Sequence, residues 1–167
     1  MTHGKFVVFA LALTLAACGR GTPEVTYACP QPFTVQDAER LTHFKDGPGR
    51  DPRDIAYEAN VASSRTTCEL VRNQINVTLL MRIAVSAGPS VGAGPTRVPY
   101  FVRVIDESGA IVQGQEFTAD FRLTTSNPRS TSQEELSLFL PSGGSYRIAI
   151  GLKPTAEELN YNRRGRQ

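Results

Sequence analysis

The clearest feature of the chain is a strict alternation of apolar and mixed positions between Asn73 and Ala87. Ile75, Val77, Leu79, Met81, Ile83 and Val85 occupy the odd positions, and Asn76, Thr78, Leu80, Arg82, Ala84 and Ser86 the even ones. Successive strand side chains point to opposite faces, so this pattern predicts a long strand with one buried face. Ile55 to Ser63 and Thr67 to Val71 read as two shorter strands ahead of it. Beyond a Gly/Pro-rich stretch, Gly88 to Pro95, the alternation resumes at Val98, Tyr100, Val102 and Val104. Glu107-Ser108-Gly109 then makes a tight turn, and Ala110 to Thr125 returns with Phe117, Ala119, Phe121 and Leu123 on one face, which predicts a hairpin. Leu136, Leu138 and Leu140 precede Pro141, and Ser142-Gly143-Gly144 leads into Tyr146, Ile148, Ile150 and Leu152, which predicts a second hairpin.

Helix signals are few. Thr34 can cap a first turn with Asp37 three residues on, and Leu41 and Phe44 can share a helical face before Asp46-Gly47-Pro48-Gly49 breaks the segment. Near the C-terminus, Thr155 and Glu158 fit the Thr-x-x-Glu capping box of a short helix, expected to end before Asn160, Asn162 and an arginine tail. Six or seven strands with close turns and minor short helices predict an all-β fold, an antiparallel two-sheet sandwich, with a small barrel as the alternative. In strand number, length and spacing it resembles the immunoglobulin and fibronectin type III group. It departs from that group in having no tryptophan, and in cysteines that lie too early to bridge the middle of two sheets.

The N-terminus has a different character. Lys5 is followed by an apolar run, Phe6 to Ala17, broken only by Thr14. The run falls well short of the roughly 20 residues a membrane-spanning helix needs, and it suits the core of a secretory signal. Leu15-Ala16-Ala17-Cys18, which closes it, resembles the bacterial lipobox. That resemblance implies cleavage before Cys18, diacylglycerol on the Cys18 sulfur, and N-acylation afterwards with a chain such as palmitate. Two or three acyl chains hold a protein firmly on a bilayer without a spanning segment. Gly19, where enteric inner-membrane lipoproteins carry Asp, implies the outer membrane, facing the periplasm. The expected organisation is a signal over 1–17, a tether over 18–28, the sandwich over 29–162 and a basic tail over 163–167. The order Cys29-Pro30, Gly49-Arg50-Asp51, Asp54-Ile55-Ala56-Tyr57-Glu58-Ala59 and Cys68 resembles envelope lipoproteins of proteobacteria that have no assigned activity.

Removing a 17-residue signal from 167 residues leaves 150, enough for one domain with a substantial core. It also removes Lys5, leaving 17 basic against 16 acidic residues, so neither a nucleic-acid footprint nor a polybasic membrane patch is indicated. Arg163, Arg164 and Arg166 form the one local charge run and read as a solvated tail. With Cys18 taken by lipid, Cys29 and Cys68 remain as an even pair, which in an oxidising compartment reads as a disulfide.

Candidate chemistry is sparse. His43 is the only histidine beyond the signal, and it reads as a surface or packed residue without a partner. A serine hydrolase would need it as a base, yet no Gly-x-Ser-x-Gly elbow marks a nucleophile. One histidine and a pair of bridged cysteines leave no zinc set. Gly88 to Pro95 lacks the Gly-Lys-Ser/Thr of a phosphate loop and reads as a long connection at one end of the sandwich. The most distinctive stretch is 46–58, where Asp46, Asp51, Asp54 and Glu58 interleave with Arg50 and Arg53 around glycines and prolines. Its spacing is not that of a calcium loop. Asp46, Arg50, Asp51, Arg53 and Asp54 read either as Asp–Arg pairs and turn bonds within the loop or as a partner-binding patch. Asn76-Val77-Thr78 matches a glycosylation acceptor but lies mid-strand. No catalytic, cofactor or metal residue is assigned. The sequence points first to a non-catalytic envelope module presenting loops or a sheet edge to an envelope protein or the cell wall. A small-ligand or glycan carrier with a pocket lined by residues such as Phe117, Phe121 and Tyr146 is the alternative.

Overall fold

A computed structural model describes residues 27–164. The expected signal, the expected lipobox with Cys18, the expected tether up to residue 26 and residues 165–167 lie outside the described residues. The described chain is an all-β sandwich of two four-stranded sheets with one short α-helix. The strands are β1 (Pro32–Thr34), β2 (Arg40–Phe44), β3 (Ile55–Val71), β4 (Gln74–Ala87), β5 (Pro95–Asp106), β6 (Ile111–Arg122), β7 (Arg129–Pro141) and β8 (Tyr146–Leu152), followed by α1 (Ala156–Arg164). One sheet has the order β1-β8-β5-β6 and the other β2-β3-β4-β7. Every pairing is antiparallel except β1 with β8. The order β3-β4-β7 opposite β8-β5-β6 is that of strands A-B-E and F-C-C′ in a variable-type immunoglobulin sandwich. Two N-terminal strands are added to it: β2 lies outside β3, and β1 lies beside β8.

The long alternation behaves as its pattern requires. Ile75, Val77, Leu79, Met81, Ile83 and Val85 are all buried, and β4 is paired along its length with β3 on one side and β7 on the other. Facing it across the sandwich are Val98, Tyr100, Val102 and Val104 of β5 and Ile148, Ile150 and Leu152 of β8. The β5–β6 hairpin is also as expected. The Asp106 carboxylate accepts from the backbone of Ser108 and Ala110 and from the Ser108 hydroxyl, and Gly109 supplies the positive φ of 85°.

Four expectations are corrected. First, the Thr34–Phe44 region is not helical: β1 and β2 flank a single 3₁₀ turn at Gln36–Ala38. Leu41 and Phe44, three apart on a strand, face opposite sides: Leu41 enters the core, while Phe44, on the same face as Thr42, meets Tyr161 of α1 edge-on at 4.9 Å. Second, Ile55–Val71 is one strand. Its alternation slips at a bulge between Val61 and Ser63, and this reads as a break when the sequence is scanned alone. Third, β7 and β8 do not form a hairpin, because β7 pairs with β4 and β8 with β5, so Ser142-Gly143-Gly144 carries the chain from one sheet to the other. The hairpin in this part of the fold joins β3 to β4 through Arg72 and Asn73, with Arg72 at φ 57°. α1 also runs past Asn160 and Asn162 and takes in Arg163 and Arg164, which the sequence placed in a free tail.

The sandwich has two distinct ends. The turns β3–β4, β5–β6 and the β7-to-β8 crossing lie at one. Because β1 runs parallel to β8, the chain enters the fold from that same end. This entry end is where Cys29 is disulfide-bonded to Cys68 of β3, with Cα atoms 5.6 Å apart, tying the segment that leads into one sheet to a strand of the other. Tyr27, expected in the tether, packs against the core and belongs to the domain. Loops 45–54, 88–94 and 123–128 lie at the far end.

The bridge spans 39 positions, so its loss is expected to free loop-closure entropy worth about 4 kcal/mol. Thermal unfolding of the folded domain with and without reductant should show a large drop in Tm with strand content retained below the transition. Equal melting curves would mean that the contacts of Tyr27 and β1 alone hold this segment.

Candidate functional site

The two loops singled out from the sequence meet at the far end. β4 ends at Ala87, and the chain folds down onto the start of β3, where Gly88 N donates to Ala56 O (2.8 Å) and Ser90 N to Ile55 O (2.9 Å). A Cβ on Gly88 would run into the Ile55 carbonyl oxygen, which is why glycine stands there. Ser90 Oγ donates to Arg53 O (2.7 Å) and fastens the Gly/Pro loop to the charged one.

The charged loop is largely satisfied from within. Asp51 and Asp54 form a reciprocal cap on the 3₁₀ turn Pro52–Asp54, where Arg53 N donates to Asp51 Oδ1 and Asp51 N to Asp54 Oδ2. Asp54 also pairs with Lys45 at 2.7 Å; that bond, with the backbone donor it receives, holds its carboxyl below the ordinary value. Arg50 donates to Gly47 O and Gly49 O, pairs with Glu157 of α1 at 2.6 Å and lies over the Phe44 ring. Arg53 reaches Asp51 at 3.5 Å. Of the five residues assigned to a partner loop, Arg50, Asp51, Arg53 and Asp54 therefore make the Asp–Arg pairs and turn bonds of the structural reading. Asp46 is exposed and has no polar partner among the described residues.

Between these loops stands His43. Its ring stacks on Tyr57 (centroids 4.8 Å apart), and Nδ1 lies 2.8 Å from Glu158 Oε1 on α1. The expectation of a histidine without a partner is thus corrected. Glu158 is the acidic member of the capping box read from the sequence: its other oxygen accepts from Thr155 N at 2.7 Å, and Glu158 N donates to Thr155 Oγ1. Burial raises the Glu158 carboxyl, but the bonds from His43 and Thr155 outweigh it and hold it below the ordinary value of 4.5. An ionised carboxylate only accepts, so Nδ1 carries the proton and Nε2 is left for another contact. Tyr57 Oη donates to Arg97 O at 2.6 Å, and burial raises its hydroxyl well above the usual tyrosine range.

Two clefts open on either side of residues 43–46. One, of about 510 Å³, lies between them and the 90–97 segment, with Tyr57 and Arg97 in its wall. The other, of about 400 Å³, lies between them and the first turn of α1. Both combine apolar rings with Asp46, Lys45 and His43. The Glu158–His43 pair has the form of an oriented base, but Ser90, the serine in the larger cleft, already donates its hydroxyl to Arg53 O. This arrangement suits recognition by hydrogen bonds and stacking. Among the described residues no group of three or more His, Cys, Asp or Glu is placed to hold a metal ion. Phe121 is buried in the core and Phe117 stacks on Tyr100, so these rings fill the sandwich and do not line an internal pocket. No protein-family model matches the chain, and no curated protein matches it in sequence.

The role of Glu158 in holding His43, and those of Tyr57 and Arg97, were not read from the sequence. The capping box was the one available sign, since it fixes where the Glu158 side chain begins.

Two outcomes follow. Because Glu158 is lowered on folding, it stabilises the native state above pH 4.5 and loses that contribution as pH falls through its native value. Asp54, Asp106 and Glu116 are lowered too and act with the same sign, so the comparison that isolates Glu158 is with Glu158→Gln. The variant should be less stable at pH 7 by about 1–3 kcal/mol and should lose less on acidification. Parallel Tm-versus-pH curves would remove Glu158 from this role. Separately, Gly88→Ala should cost about 1–3 kcal/mol and raise amide exchange at Ser90, detaching the 88–94 loop from β3.

Proposed function

We propose that this chain is an envelope lipoprotein, held to a membrane through acyl chains on Cys18, whose sandwich acts as a non-catalytic interaction module for another envelope protein or for the cell wall. The observation that carries the reading is the polarity of the fold. The chain enters at one end, and the loops that meet around His43 lie at the other, so a lipid anchor upstream would present Asp46 and the 88–94 loop outward. The long outer strands β6 and β7, each with one unpaired edge, support an interaction role as well. No helix among the described residues is long and apolar enough to cross a membrane, and the reading needs none.

The larger cleft favours a second reading, a small-ligand or glycan-binding domain, with the ligand held at the surface between Tyr57 and the 90–97 segment.

The test is membrane fractionation with in vivo photocrosslinking from positions 46 and 93, comparing the wild-type chain with Cys18→Ala. The wild type should sediment with membranes and give one discrete crosslinked envelope protein or peptidoglycan adduct from these positions but not from Thr118 on the outer face of β6. Cys18→Ala should be soluble and lose the adduct. Solubility of both forms would overturn the anchor. Anchoring without a far-end adduct would overturn the module, and chemical-shift changes at His43 and Asp46 on titrating cell-wall saccharides would then favour the second reading.

A further inference from the structure

We infer that the entry end of the sandwich is a membrane-contact surface, seated on the same lipid layer that holds the Cys18 anchor. This deepens the proposed function and rests on it. The large exposed apolar side chains among the described residues are Phe33, Val71, Ile111, Val112 and Phe139. Four of the five sit at the entry end. Val71 is the last residue of β3, Ile111 and Val112 are the first two of β6, and Phe139 lies two residues from the end of β7. The fifth, Phe33, lies under the Arg147 guanidinium. None lies at the far end, where the charged loops gather.

Their exposure is built into the backbone. Val112 is the extra residue of a register shift opposite Val104 and Ile105, which turns it out of the alternation that buries Val104. Phe139 falls between the buried Leu138 and Leu140 and so must face outward, where it is 60% exposed. Ile111 is 61% and Val112 53% exposed. Phe139 faces out from one sheet and Ile111, paired with Ile105, from the other, so these side chains flank the entry end on both outer faces, beside the outer strands β6 and β7.

The occupant follows from where the chain leads. Tyr27 and Cys29 meet β3 at Cys68, three residues short of the β3–β4 turn, about 10 Å from that end. Residues 18–26 can span at most about 30 Å between Cys18 and Tyr27. A short lead fastened at this end by a disulfide keeps this end toward the bilayer. Its apolar side chains then enter the interfacial layer, at a depth of about 5–10 Å for such contacts. Arg72 and Arg147 are offset there by Glu69, Asp106 and Glu107, so the contact is apolar, requires no anionic lipid and survives added salt.

The experiment uses the full lipidated protein in phosphatidylcholine vesicles. Single variants Val112→Cys, Phe139→Cys and Ala93→Cys carry an environment-sensitive fluorophore, the chain's own cysteines being occupied by lipid and disulfide. Circular dichroism of each labelled variant checks that it is folded. With a lipid-borne quencher present, emission from positions 112 and 139 should fall by about half or more, as expected for a label at interfacial depth, while position 93 stays unchanged, with or without anionic lipid and in high salt. If the protein does not float with vesicles, the anchor reading fails and this inference fails with it. If it floats but 112 and 139 are no more quenched than 93, the anchor stands and the docking surface is overturned. Concentration-dependent contact quenching between labels at 139, without lipid quenching, would overturn it by assigning the surface to a second copy of the chain.

Discussion

Everything in this molecule hangs on the inner face of β4. Its six inward side chains are buried against β5 and β8, and its two edges are hydrogen-bonded to β3 and β7, so it fixes both the register of its own sheet and the spacing to the other. A slip of one residue would turn all six outward, so the pairing is specified by burial and needs little help from turn chemistry. Once β4 is placed, the loops at its two ends are placed with it. Arg72 and Asn73 lead back into β3 at the entry end, and Gly88 folds onto the start of β3 at the far end.

The far end is built economically. The charged residues between Lys45 and Asp54 are spent mostly on one another and on Glu157, which makes the loop a rigid wall for the clefts on either side of His43. The groups left over are few and varied: Asp46, the Nε2 edge of His43, and the backbone of the 88–94 loop. Such a set recognises shape and hydrogen-bond pattern better than net charge, in keeping with a domain whose acidic and basic residues nearly balance. The Glu158 carboxylate serves twice here, capping its own helix and orienting the histidine, so the helix and the cleft wall are held by a single side chain.

The sandwich was legible in the sequence wherever one face of a strand is buried and the other wet, as in β4, β5, β6 and β8. It failed where another device interrupted the period. The bulge at Val61–Ser63 made β3 look like two strands, and β2, covered by the core on one face and by α1 on the other, placed Leu41 and Phe44 at a helical spacing. The β7–β8 connection misled for another reason. A Ser-Gly-Gly turn between two alternating segments has the same local chemistry whether the second strand stays in its sheet or changes sheets, and that choice is made by partners distant in sequence. At the far end the two loops were visible as unusual stretches, but their meeting was not, because it depends on how β3 and β4 pair. The partnership of His43 with Glu158 joins residues 115 positions apart and left no local trace beyond the capping box.

The four sheet edges are unequal. β2 is covered by α1, with Thr42 bonded to Asn162 and Arg163 to Asp37, and β1 is only three residues long. β6 and β7, on the opposite side, have long uncovered margins. The sandwich therefore has a closed flank and an open one. Any strand donated by another chain would lengthen a sheet only along the open flank, leaving the clefts beside His43 unobstructed, so one copy of the domain has room to hold two different neighbours at once.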